Sequence, residues 1–122
     1  MVTMRYGGGT AGSAKKVLLW ENPSPSSAFA AQTVSVDASG FDFIGIELLF
    51  SKNSTSIFPL SLFPATVTDF FIPISAPAAN RTGGRAGSYS FANKQITFSA
   101  ANYNATENND YAIPAYIWGI KL

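Results

Sequence analysis

The sequence predicts an all-β domain, an antiparallel β-sandwich of jelly-roll-like plan, and three observations carry that prediction. Apolar and polar residues alternate in several short runs, most clearly where Ile44, Ile46, Leu48 and Phe50 share one side of a single segment. No window of about 11 residues or more places its apolar side chains at the helical period. Between the runs lie clusters of Gly, Pro, Asn, Asp and Ser, the residues that turn a chain or interrupt a ladder.

The elements follow in order. Residues 1–15 read as a flexible Gly-rich lead-in and residues 16–122 as one sandwich domain. Gly7, Gly9 and Gly12 satisfy the G-x-G-x-x-G spacing of a dinucleotide loop. That loop needs a strand before it and a helix after it, and neither is predicted here. Lys16 to Trp20 is a short strand closed by Asn22-Pro23-Ser24-Pro25. Gln32 to Asp37 alternates, with Val34 and Val36 on one face, and Ser39-Gly40 turns the chain. Asp42 to Phe50 is the central strand, its second face carrying Phe43, Gly45, Glu47 and Leu49.

Ile57 to Phe63, bracketed by Pro59 and Pro64, reads as an edge strand or an irregular wrap, and Ala65 to Ile72 as a strand ended by Pro73. Ala79 to Gly84 reads as a loop. Arg85 to Phe91 and Gln95 to Ser99 form a predicted hairpin turning through Ala92-Asn93-Lys94, with Asn93 in the left-handed position. Ala101 to Asp110 is an Asn-rich polar segment, and Tyr111 to Leu122 a long last strand with Tyr116, Trp118, Ile120 and Leu122 on one side. The central and last strands are expected to pair within one sheet.

Composition narrows the function. Hydrophobic residues make up 47% of the chain and charged residues 12%, with a formal net charge of +1, so neither nucleic acid nor an anionic membrane is an expected partner. The longest apolar stretch, Phe41 to Phe50, is interrupted by Asp42, Gly45 and Glu47 and is too short to span a bilayer. The chain has no Cys and no His, which removes thiolate and imidazole metal ligands, Cys nucleophiles and His-based triads. No cofactor is expected.

Seven carboxylates remain. Asp37 and Asp42 flank the Ser39-Gly40 turn and have the ordinary role of turn residues, while Glu107 and Asp110 lie in the Asn-rich loop as solubilising groups. Those two, with Asn104, Asn108 and Asn109, could supply oxygens to calcium, but the run lacks the Asp-x-Asp spacing and glycine of a calcium loop. Glu47, alone in the most apolar strand, either faces solvent or pairs with a cation across a subunit boundary. Sequons at Asn53, Asn80 and Asn104 matter only in a eukaryotic secretory protein, of which there is no other sign.

The aromatic residues say more. They make up 14% of the chain, more than a domain of this size is expected to bury, so some of Phe58, Leu60, Phe63, Phe70 and Phe71 are expected to face another subunit. Asn102, Tyr103, Asn104, Asn108 and Tyr111, with Arg85 nearby, form the expected ligand-binding patch. Aromatic rings cover the apolar face of a pyranose, and amides pair with its hydroxyls. A plain exposed loop is the simpler alternative.

Residues Val17-Leu18-Leu19-Trp20-Glu21-Asn22-Pro23-Ser24-Pro25, followed by Phe29-Ala30-Ala31-Gln32-Thr33-Val34, resemble the opening of a module found in phage and prophage structural proteins of Firmicutes. Gly40-Phe41-Asp42-Phe43-Ile44-Gly45-Ile46-Glu47 is similar to its second strand, and Ile113-Pro114-Ala115-Tyr116-Ile117-Trp118-Gly119-Ile120-Lys121 to its ending. The resemblance covers residues 16–122, with Ser51 to Ala86 unmatched. It implies a tail-associated virion module, commonly C-terminal in its chain, with no catalytic residues to carry over. The expectation is a homo-oligomer, trimeric by preference, contacting a host-surface glycan or protein through end loops. A free-standing lectin-like module is the alternative, and a small carboxylate hydrolase a third.

Overall fold

The computed structural model describes residues 14–122. The glycine run and its G-x-G-x-x-G spacing lie outside the described residues. Nine strands follow: β1 (Lys15–Glu21), β2 (Gln32–Ser35), β3 (Phe43–Ser51), β4 (Ser61–Pro64), β5 (Asp69–Ala76), β6 (Arg81–Ser90), β7 (Gln95–Tyr103), β8 (Thr106–Glu107) and β9 (Tyr111–Lys121). They form two antiparallel sheets, one of four strands in the order β1-β9-β3-β4 and one of five in the order β2-β7-β6-β5, with β8 added beside β7. The sheets pack face to face as a β-sandwich. Pairing of β1 with β9, β9 with β3, and β2 with β7 follows a jelly roll. The other neighbours, β3–β4 and β5–β6–β7, are joined as successive hairpins.

The core lies between the sheets. Ile44, Ile46, Leu48 and Ile117 of the four-stranded sheet meet Phe70, Ile72, Ile74, Ile96 and Phe98 of the other, all of them buried. Burying each such side chain contributes about 1.5–3 kcal/mol. Phe63 reaches across to Phe70 at 5.0 Å, and Phe29, from the β1–β2 connection, sets its ring edge-on to Phe98 at 5.5 Å. This packing corrects part of the subunit-facing expectation. Phe70 is interior, edge-on to Phe98, and Phe58 and Phe63 pack against the core through tilted contacts with Phe50 and Phe70. Phe71 alone of that group is a large exposed hydrophobic residue.

Several boundaries differ from the sequence prediction for identifiable reasons. Strand β5 runs through Pro73, opposite Gly84, because β5 is a sheet edge where a missing N–H costs no ladder bond. The β6–β7 turn places Lys94 in the left-handed conformation, with φ 54°, instead of Asn93. The segment expected as loop from Ala79 enters β6 at Arg81, and the Asn-rich segment folds back as the β7–β8 hairpin. Its turn, Asn104-Ala105, has φ 55° and 64°, the double left-handed pattern of a tight hairpin.

The last strand is interrupted where Pro114 would break a central ladder. The β3–β9 register shifts between Glu47 and Leu48, leaving Ala115 as the extra residue. Asn22 closes that irregularity: its side-chain Nδ2 donates to the Pro114 carbonyl at 2.8 Å, and its backbone N–H to the Ala115 carbonyl at 2.9 Å. The Asn-Pro sequence after β1 therefore serves the fold.

Candidate functional site

Residues that point outward from the two sheets differ sharply. On the five-stranded sheet, register places Asp69, Ser88, Thr97 and Thr33 in one row and Ser75 opposite Thr82 in another. A third row crosses the sheet as Pro73, Gly84, Asn102 and Glu107. Small residues dominate these rows, so the backbone is approached closely and a hollow opens over β6. The groove has a volume of about 510 Å³, within the range of small-molecule sites, and is lined by Phe71, Pro73, Ser75, Thr82, Gly84 and Asn102, with Ala105 at its end. A second hollow, among Pro25, Leu49, Ile57 and Tyr116 on the other sheet, holds only about 140 Å³ and falls below that range.

Two features shape the groove. Gly84 is its floor: a Cβ there would lie 2.4 Å from Phe71 Cζ and 2.5 Å from the Ile72 carbonyl oxygen. Phe71 is 55% exposed and lies against that floor. A ring beside a side-chain-free strip, with the Asn102 amide and the Thr82 and Ser75 hydroxyls around it, offers an apolar contact and a polar rim in one hollow. None of the lining residues is charged.

The residues expected from sequence to bind ligand divide. Asn102 is exposed and lines the groove, and Asn104 is exposed in the adjoining turn. Tyr103 is buried, its ring stacked on Tyr111 at 3.9 Å with a 10° interplanar angle, and Phe50 meets both edge-on. The Asn108 side-chain oxygen accepts the Asp110 N–H at 3.0 Å, and that of Asn109 accepts the Ala101 N–H at 2.9 Å. Asp110 pairs with Lys52 at 3.3 Å. Of the oxygens a calcium ion would take, those of Asn108, Asn109 and Asp110 are thus engaged in holding the loop, while Asn104 and Glu107 are exposed.

Arg85 corrects the expectation most clearly, because it lies in the core and not on the binding surface. Only 1% exposed, it donates Nε–H to the Ala112 carbonyl at 2.8 Å, Nη1–H to Ser99 at 2.8 Å and Nη2–H to Tyr111 at 3.3 Å. Burial lowers its pKa to about 10, since a low-dielectric interior disfavours the charged form. The guanidinium also lies 5.1 Å from the centre of the Phe29 ring. Arg85 ties β6 to the irregular start of β9, where Ala112 has φ 50° and its carbonyl points away from the ladder.

The carboxylates have structural partners as well. Asp37 Oδ1 accepts the Ser39 N–H at 2.9 Å, as a turn residue should. Asp42 accepts the Leu122 N–H at 2.8 Å and faces Lys121 at 3.6 Å. Glu47 accepts the Trp118 indole N–H at 2.6 Å. Among the described residues no group of three or more acidic side chains is placed to hold a metal, and no helix is long and apolar enough to cross a membrane.

Phe71 and Gly84 escaped the sequence reading as site residues. The available signal was Gly83-Gly84 ahead of an alternating strand, since a glycine inside a ladder marks close approach of another group. No protein-family model matches the chain, and neither a curated protein nor a solved structure matches it.

Proposed function

We propose that this chain is a non-catalytic module of a phage or prophage tail structure that contacts a host-surface glycan through the groove on its five-stranded sheet. The observation that carries the glycan contact is the Phe71 ring beside Gly84 and Asn102. The opening and closing motifs favour the virion setting. An uncharged lining suits a neutral pyranose better than a phosphate polymer, so binding is expected to vary little with salt. Placement on a sheet face revises the end-loop expectation, because the loop amides largely hold the loop itself.

The test is binding of the purified chain to bacterial cells and to a panel of neutral glycans. Phe71→Ala and Asn102→Ala change exposed residues and are expected to leave folding intact while weakening binding about tenfold each. Unchanged binding in both variants would rule out the groove. Saturable glycan binding by a chain that stays monomeric at every concentration supports the free-standing lectin instead.

A further inference from the structure

The outward face of the four-stranded sheet is built from three rows that cross the strands. The middle row is Leu18, Trp118, Gly45 and Leu62, on β1, β9, β3 and β4. On one side lie Lys16, Ile120, Phe43 and Pro64, and on the other Glu21, Tyr116 and Glu47. Leu18 and Leu62 are 42% and 54% exposed, on either side of a half-buried indole. Lys16 Nζ lies 4.2 Å from the centre of that indole, and Glu47 holds its N–H. The charges are therefore sorted: Lys16 one row before Leu18 on β1, Glu21 one row after it.

We infer that two copies of this chain associate through this face, about a two-fold axis running along the middle row. Rotation about that axis brings the faces together, sets each middle row on its counterpart and exchanges the flanking rows. Lys16 of each copy then meets Glu21 of the other, twice over, as an isologous contact requires. An axis along β9 would instead set Glu21 against Glu47, so the charges select the first arrangement. The strands of the two copies would lie nearly aligned, the ordinary packing of two sheets.

The area fixes the strength. Strands about 4.8 Å apart and rows about 6.8 Å apart make a face of about 400 Å² per copy, half of a standard interface. Association is therefore weak and concentration-dependent. The inference stands apart from the glycan reading, since the groove opens on the opposite sheet. In such a dimer both grooves point outward, which lets two weak contacts act together on a repetitive surface.

The experiment is light scattering on the full chain across a range of concentrations. The expected mass rises from 13.0 kDa towards twice that value. Leu62→Glu, at an exposed position, is expected to keep the circular dichroism of the parent and remain monomeric. Lys16→Glu and Glu21→Lys should each weaken the dimer about tenfold through two symmetric repulsions, and the double exchange K16E/E21K should restore it. A parent chain that is monomeric throughout or trimeric, or a double variant no tighter than the singles, overturns the inference.

Discussion

Gly45 and Gly84 hold matching places on the two outer faces, each on an inner strand and each buried under a hydrophobic side chain. The three atoms nearest a Cβ at Gly45 would all belong to the Leu60 side chain, the first at 2.8 Å, whereas a Cβ at Gly84 would lie 2.5 Å from the Ile72 carbonyl oxygen. Leu60 fills the space its glycine leaves and keeps that face nearly flat. At Gly84 the neighbouring backbone sets the limit, so the space beside Phe71 stays a hollow. The same residue type thus produces a surface suited to a second sheet in one place and a groove in the other.

The largest effect expected bears on what holds the two faces apart. Arg85 follows Gly84 in β6 and points the other way, into the core, where three carbonyls depend on it. Arg85→Met keeps much of the side-chain volume but leaves the Ala112, Ser99 and Tyr111 carbonyls without these donors. Relief of the buried charge offsets part of the loss, and a net destabilisation of about 3 kcal/mol is expected from urea unfolding. A loss under about 1 kcal/mol would mean that water satisfies those carbonyls and that Arg85 does not tie the sheets.

Next in size is the glycine comparison itself. Gly84→Ala should cost about 2 kcal/mol and close the groove, because a backbone oxygen in a ladder cannot step aside. Gly45→Ala should cost less than about 1 kcal/mol, because the tip of Leu60 can rotate. Thermal unfolding of the two variants under one buffer decides the point. Equal losses would break the distinction drawn between the faces.

Much of this architecture was legible in the residues. Alternation at Ile44, Ile46 and Leu48 identified the central strand, since a buried face leaves a period of two that no helix shares. Pro59 and Pro64 located the edge near β4. The site was less legible. Asn102 was identified by its chemistry, but whether Tyr103 faced solvent depended on the irregularity between Arg85 and Gly87 in the β6–β7 pairing, where one extra residue on β7 shifts its alternation. Arg85 looked like a surface cation because its acceptors are backbone carbonyls from two other segments, which composition does not reveal. Pro73 read as a strand end for a similar reason: edge position is a property of the sheet.

The smallest effect belongs to the turns between the faces. Asp37, fully exposed, has its pKa lowered from 3.8 by hydrogen bonds from the Ser39 side chain and backbone. Its folded value lies below its unfolded one, so its contribution is complete above about pH 4 and fades as pH falls through the folded value. Asp37→Asn retains an oxygen to accept the Ser39 N–H and removes the titration. The loss of thermal stability below pH 4 should become slightly shallower in that variant, with little change near pH 7. An acid limb of unchanged slope would assign the response to carboxylates on or beside the sheets. The turn would then be structurally fixed but electrostatically silent, and the contrast in charge would lie entirely between the two faces.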